Sequence, residues 1–201
     1  MRYVLVAIAV VAFCAPAFAQ GGNPDAKVFV TFTSPTPDNA SVVNRADPTQ
    51  YTAFTAYLGV TDLGVGMSSI SFMASVTPGT SSPAAFVNLL PGDLAIGAWD
   101  TGVTLASTDC MDTDADRAFI DPVIFAKLDL FYLGVPGDVT ILDHPEYPRW
   151  VTNCEDPAVL DYFCIWTHGG IGKDAEPGDS GCAANTPVES QTWGSIKALY
   201  Q

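Results

Sequence analysis

The sequence predicts an all-β protein: an antiparallel β-sandwich of jelly-roll or Greek-key order, with a short C-terminal helix or tail. Two observations carry this. Several segments alternate apolar and polar residues with a period of two, and clusters of Pro, Gly, Asp and Ser punctuate them at short intervals. Only the C-terminal end shows helical spacing.

The clearest strand is "SSISFMASV", where Ile70, Phe72, Ala74 and Val76 point to a core and Ser69, Ser71 and Ser75 away from it. In "YTAFTAYLGV" the inward set is Phe54, Ala56, Leu58 and Val60. In "VIFAKLDLFYL" it is Ile124, Ala126, Leu128, Leu130 and Tyr132, with Lys127 and Asp129 outward. "KVFVTFT" and "DVTILD" add two more strands. Between such runs lie "VTPGTSSPA", "LLPGD" and "GVPGD"; Pro presets φ and Gly supplies positive φ, so each Pro-Gly marks a reversal. "FYLGVPGDVTIL" is thus a hairpin or tight β-arch around Pro136 and Gly137. Eight to ten short strands at roughly this spacing fit a sandwich.

The chain opens with Arg2, an apolar run from Val4 to Phe13, and Ala17-Phe18-Ala19, the layout of a cleaved secretory signal over residues 1–19. That run is too short to span a bilayer, which takes about 20 residues. No second long apolar run follows, so the mature chain carries no transmembrane segment, and it is expected to be secreted, periplasmic or on the cell surface. Residues 20–187 are expected to form one domain. From about residue 143 the composition shifts to aromatics, Pro and Cys, marking a disulfide-rich segment. Residues 188–201 form the tail: Thr192 is an N-cap candidate, and Trp193, Ile196, Leu199 and Tyr200 fall on one side of a short helix.

The 22 acidic residues against 8 basic give a formal net charge of −14, which excludes nucleic acid as a partner, because phosphate binding needs clustered Lys and Arg. Of the five cysteines Cys14 leaves with the leader. Cys110, Cys154, Cys164 and Cys182 remain, an even set that favours two disulfides in an exported chain. Three pairings are open; Cys110 with Cys154 and Cys164 with Cys182 is preferred.

The run from "FTAYLGVTDLGVGMSSISFMASV" to "FAKLDLFYLGVPGDVTIL" resembles the jelly-roll scaffold of cohesin-like modules of secreted bacterial proteins. In that family a Gly-containing turn precedes a core-alternating strand, and a long strand, a turn and a short strand close the sandwich. The resemblance implies a binding or structural module without catalysis. The chain departs from the family by its four cysteines and by lacking a recognisable dockerin segment.

Two stretches suggest chemistry. "THGGIGKDAEPGDSGC" holds a His-Gly-Gly and a Gly-Asp-Ser-Gly. Esterases of that kind place the catalytic His after the Ser, whereas His144 and His168 both precede Ser180. A Gly, Pro and Asp cluster beside a cysteine is an ordinary loop, so no catalytic residue is assigned. In "DCMDTDADRAFID", Asp112, Asp114 and Asp116 alternate, and oxygen ligands at every second position can converge on calcium when a loop curls. It is not an EF-hand, because Arg117 stands at the sixth position and Val123 at the twelfth. Most such acidic runs are simply solvated. His144 and His168 lack a zinc spacing and read as separate structural residues. Trp99, Trp150, Trp166, Tyr147 and Tyr162 would suit sugar stacking, although aromatics more often complete a core. The sequence therefore points to a non-catalytic module binding a protein or a polysaccharide, with a calcium-dependent carbohydrate-binding module as the alternative and a hydrolase third.

Overall fold

The computed structural model describes residues 23, 25–34, 42–111, 122–146, 149–155, 158, 160–180 and 182. The leader, Asp112, Asp114, Asp116, Tyr147 and the segment 188–201 lie outside the described residues.

Alternation at a period of two builds strands here. In chain order they are β1 (Lys27–Thr31), β2 (Arg45–Ala46), β3 (Ala53–Thr61), β4 (Met67–Val76), β5 (Ser81–Asn88), β6 (Leu94–Ala98) and β7 (Gly102–Met111). Then follow β8 (Val123–Tyr132), β9 (Gly137–Leu142), β10 (Trp150–Thr152), β11 (Leu160–Tyr162), β12 (Cys164–Thr167) and β13 (Gly169–Ile171). The smaller sheet runs β12-β1-β3-β8-β5. The larger runs β11-β10-β4-β9-β13-β2, with β7 on the other side of β4 and β6 beyond it. The protein is an all-β sandwich of two sheets.

Between the sheets, Phe72 of β4 meets Phe125 of β8 edge to face at 5.2 Å. Leu58, Ile70, Leu105, Leu128 and Ile141 are fully buried around them, each contributing about 1.5–3 kcal/mol by leaving water. The expected inward sets of β3 and β4 face this core, with Phe54 and Val76 only partly buried at its margin.

Three expectations are corrected. The sandwich is not purely antiparallel, because β12 lies parallel to β1 and β13 parallel to β2. Ile124 does not join Ala126 and Leu128 in the core. The β3–β8 register slips between Leu58 and Gly59, so Ala126 pairs with Leu58 and Ile124 with Gly59. Phe125 is the extra residue and buries its ring, and the alternation inverts beyond it, as at any β-bulge. The strands also outnumber the eight to ten expected, since β2, β10, β11 and β13 have only two or three residues each. Around Pro136 the chain makes an arch rather than a hairpin, for β8 pairs in the smaller sheet and β9 in the larger.

Two disulfides close the segment from Cys154 onward. Cys110, near the end of β7, is bonded to Cys154, just past β10, with 5.8 Å between the Cα atoms. Because β7 and β10 flank β4 on opposite sides, this bond ties together both neighbours of one strand. Cys164, opening β12, is bonded to Cys182. That bond holds residues 177–180 along β12, where the Asp179 amide donates to the Ile165 carbonyl at 2.8 Å. Among the described residues no helix is long and apolar enough to cross a membrane.

Candidate functional site

Strand register fixes which side chains share the outer face of the larger sheet. Ile70, Phe72, Leu105 and Val151 point to the core, so their neighbours point out. Across β6, β7, β4, β10 and β11 one outward row reads Ile96, Thr104, Ser71, Trp150, Tyr162. The next reads Leu94, Ala106, Ser69, Thr152, Leu160. Neither row contains a charged residue. Neighbouring strands lie about 4.8 Å apart, so five strands make a face roughly 19 Å wide.

The rim of this face is apolar and open. Ile96 is 67% exposed and Tyr162 65%, and Leu94 and Leu160 are exposed as well. Its centre is small and polar: Ser71 Oγ and Thr104 Oγ1 share a hydrogen bond of 2.8 Å, and Ser69 Oγ donates to Thr152 Oγ1 at 2.6 Å. These hydroxyls satisfy one another, and the half-buried Trp150 lies beside them between Ser71 and Tyr162.

At the β11 end the face adjoins a cleft of about 560 Å³ lined by Asp143, His144, Pro145, Glu146, Arg149, Tyr162 and Phe163. Phe163 is buried and the Tyr162 ring is exposed. Arg149 bonds to Asp143 and to Asp179. Burial opposes its charge, yet the two carboxylates outweigh that cost and hold the guanidinium above its ordinary value. Asp179 also accepts the Ile165 amide at 2.9 Å, so the same carboxylate positions Arg149 and β12. Arg149 is thereby already neutralised. Glu146 and the exposed ring of Tyr162 line the rest of the cleft together with His144.

The residues singled out from sequence separate. His144 lines the cleft, where its Nδ1 accepts the Glu146 amide at 3.2 Å. His168 sits behind it, half-buried, its Nδ1 accepting the Ile141 amide at 3.2 Å. Burial pushes the His168 imidazole down against the pull of Asp179 and Asp138. Ser180 lies in an exposed turn that follows Asp179. Among the described residues no group of three or more His, Cys, Asp or Glu side chains could hold a metal ion. Of the aromatics, Trp99 packs against the core, Trp166 lies edge-on to Phe29 of the smaller sheet at 6.0 Å, and Trp150 and Tyr162 share the row described above. The four described aromatics do not make one platform, and Tyr147 lies outside the described residues.

Sequence reading missed Leu94, Ile96 and Leu160. The signal available was "LAIGA", an uncharged run between "PGD" and "WDTG" in so acidic a chain.

No protein-family model matches the chain, and no curated protein does. Among solved structures it is similar to the sixth cohesin of scaffoldin B from Acetivibrio cellulolyticus, solved with a dockerin. There the identity is 9%, the match covers 74% of this chain and 99% of that one, and the TM-score is 0.48. It is similar to a cohesin from Clostridium acetobutylicum at 13% identity, covering 72% and 89%, with a TM-score of 0.46. It is also similar to the cohesin module of a family 33 glycoside hydrolase from Clostridium perfringens at 9% identity, covering 69% and 97%, with a TM-score of 0.44.

Proposed function

We propose that the protein is a non-catalytic binding module of an exported, oxidising compartment, and that it docks a protein partner on the outer face of its larger sheet. The observation that supports this most is the pair of rows from Ile96 to Tyr162 and from Leu94 to Leu160, uncharged in a chain of net charge −14. Depletion of charge is what marks the centre of a protein interface, and the exposed Tyr162 ring is an aromatic of the kind enriched there. A sugar site would want planar polar groups beside rings, and three of the four rim residues here are aliphatic. The two disulfides accord with the compartment.

Site-specific photo-crosslinking in the native host tests this reading. A benzophenone side chain at Ile96 or Tyr162 should capture the same protein, and one at Val87 on the opposite sheet should not. Capture of different proteins from the two positions, or equal capture from Val87, would contradict it. The rival reading, carbohydrate binding, rests on the exposed Tyr162 ring beside the cleft. Retardation on polysaccharide gels, abolished by Tyr162→Ala, would favour it.

A further inference from the structure

Among the described residues five strands end the two sheets, and four of their edges carry a device that discourages further pairing. The edge of β12 is covered by residues 177–180, with Thr167 bridged to Pro177. β5 carries Pro83 and a register shift between Pro83 and Ala85. β11 is three residues long and turns a charged side chain, Asp161, inward. β2 is two residues long and carries Arg45, ion-paired to Asp47 and Asp174. Short length, Pro, bulges, inward charge and covering segments are the means by which natural sheets stay closed.

β6 differs from the other four. It is five residues long, Leu-Ala-Ile-Gly-Ala, with no charge, no Pro and no register shift against β7. Gly97, at φ 94°, brings it close to Gly102. All five residues are exposed, including Ala95 and Gly97, which pair with the core-facing Leu105 and Val103. Among the described residues the strand therefore overhangs the sandwich and is exposed on both faces, held at its start by Asn88, whose Nδ2 donates to the Leu94 carbonyl at 3.2 Å. Alternate residues of an antiparallel edge strand aim their N–H and C=O groups away from the partner, so β6 presents free backbone groups to an incoming strand.

Charge selects the occupant. Exposed Asp93 and Asp100 bracket the strand. A second copy pairing antiparallel about Ile96 would set Asp93 of one chain opposite Trp99 of the other, one residue from its Asp100, at both ends, and like charges that near one another disfavour it. An extended segment with an uncharged middle and a basic residue at each end meets both carboxylates.

We infer that β6 is a strand-addition site for an extended peptide of a partner protein, with a β-branched middle and Lys or Arg at its two ends. Backbone pairing supplies the affinity and the flanking charges supply the register. This goes beyond docking on the sheet face, because it depends on the backbone edge of one strand and not on the outward side chains.

The test uses the full chain and the synthetic peptide acetyl-KTVTVTVK-amide, whose terminal lysines match the spacing of Asp93 and Asp100. The expected results are saturable binding that weakens with salt, slowed amide exchange within 94–98 and at no other edge, and loss of at least about tenfold in affinity when alternate peptide amides are N-methylated. Replacing both lysines by glutamate should weaken binding comparably. Unchanged exchange in β6, or equal affinity for the N-methylated peptide, would overturn the inference. So would concentration-dependent dimerisation abolished by Ile96→Lys, which would make a second copy the occupant.

Discussion

The ring of Phe29 lies across Gly59, so that a β-carbon added to the glycine would stand 2.4 Å from Phe29 Cζ. The two are paired across β1 and β3, and Phe29 points away from the core that Val28 and Val30 face. It is nonetheless fully buried, with the edge of Trp166 against it and Ile124 beside it.

Gly59→Ala should therefore destabilise the fold by about 1–3 kcal/mol, as overpacking does. At roughly 2–4 °C per kcal/mol for a chain of this size, the melting midpoint falls by several degrees. Phe29→Leu in the Gly59→Ala background should recover part of the loss. An unchanged midpoint for Gly59→Ala would show that the ring swings aside freely.

This packing also shows what a sequence of this kind reveals and what it hides. The inward sets of β3 and β4 were legible because strict alternation has one physical meaning on a half-buried sheet. The bulge at Phe125 was not, since Ile124, Phe125 and Ala126 are all apolar and the pattern cannot say which is the extra residue. Nor does a Phe at position 29 reveal that its ring lies outside the main core. The uncharged face escaped notice because it arises from register across five strands, and two of its four pairings, β4 with β7 and β4 with β10, join segments far apart in the chain. Leu94 and Leu160 are far apart in the chain and acquire a common role only in the sheet.

Thiol labelling in denaturant without reductant should find no reactive cysteine among Cys110, Cys154, Cys164 and Cys182, and a non-reduced digest should link 110 to 154 and 164 to 182. Replacing Cys164 and Cys182 by Ala should cost about 2–4 kcal/mol and open residues 177–180 to proteases. Labelling of two cysteines in protein from an oxidising compartment would contradict the pairing.

Acid should weaken the fold through His168. Burial lowers its folded pKa below the ordinary histidine value, so as pH falls through about 6.5 the unfolded chain takes up a proton before the folded one does. Stability is full above that pH and declines below it. Asp161 has the opposite sign: burial raises its carboxyl, a contribution that is present at low pH and lost as pH rises through its folded value. Midpoints measured from pH 7.5 to 5.5 should fall for the parent chain and fall less for His168→Gln. Equal slopes would remove His168 from the account.

Calcium at Asp112, Asp114 and Asp116 is a proposal to be read by the same melting measurement. Extracellular calcium sites bind at roughly 0.1–1 mM, so about 10 mM calcium would add about 1.4–2.7 kcal/mol over chelator. Magnesium at equal ionic strength is the control, because screening of the net charge raises the midpoint with either ion. Equal shifts, or a calcium-specific shift that survives Asp114→Asn, would dismiss the site.

The docking face itself is tested most directly at Ala106, which stands between Leu94 and Ser69 in the middle of the uncharged rows. Ala106→Arg puts a charge where a partner would exclude water, while Val87→Arg, paired beside Lys127 on the opposite sheet, is the matched control. Affinity for the crosslinked partner, measured on variants whose melting midpoints equal the parent's, should fall at least about tenfold for Ala106→Arg and stay unchanged for Val87→Arg. Unaltered affinity of Ala106→Arg, or an equal loss in Val87→Arg, would contradict docking on this face.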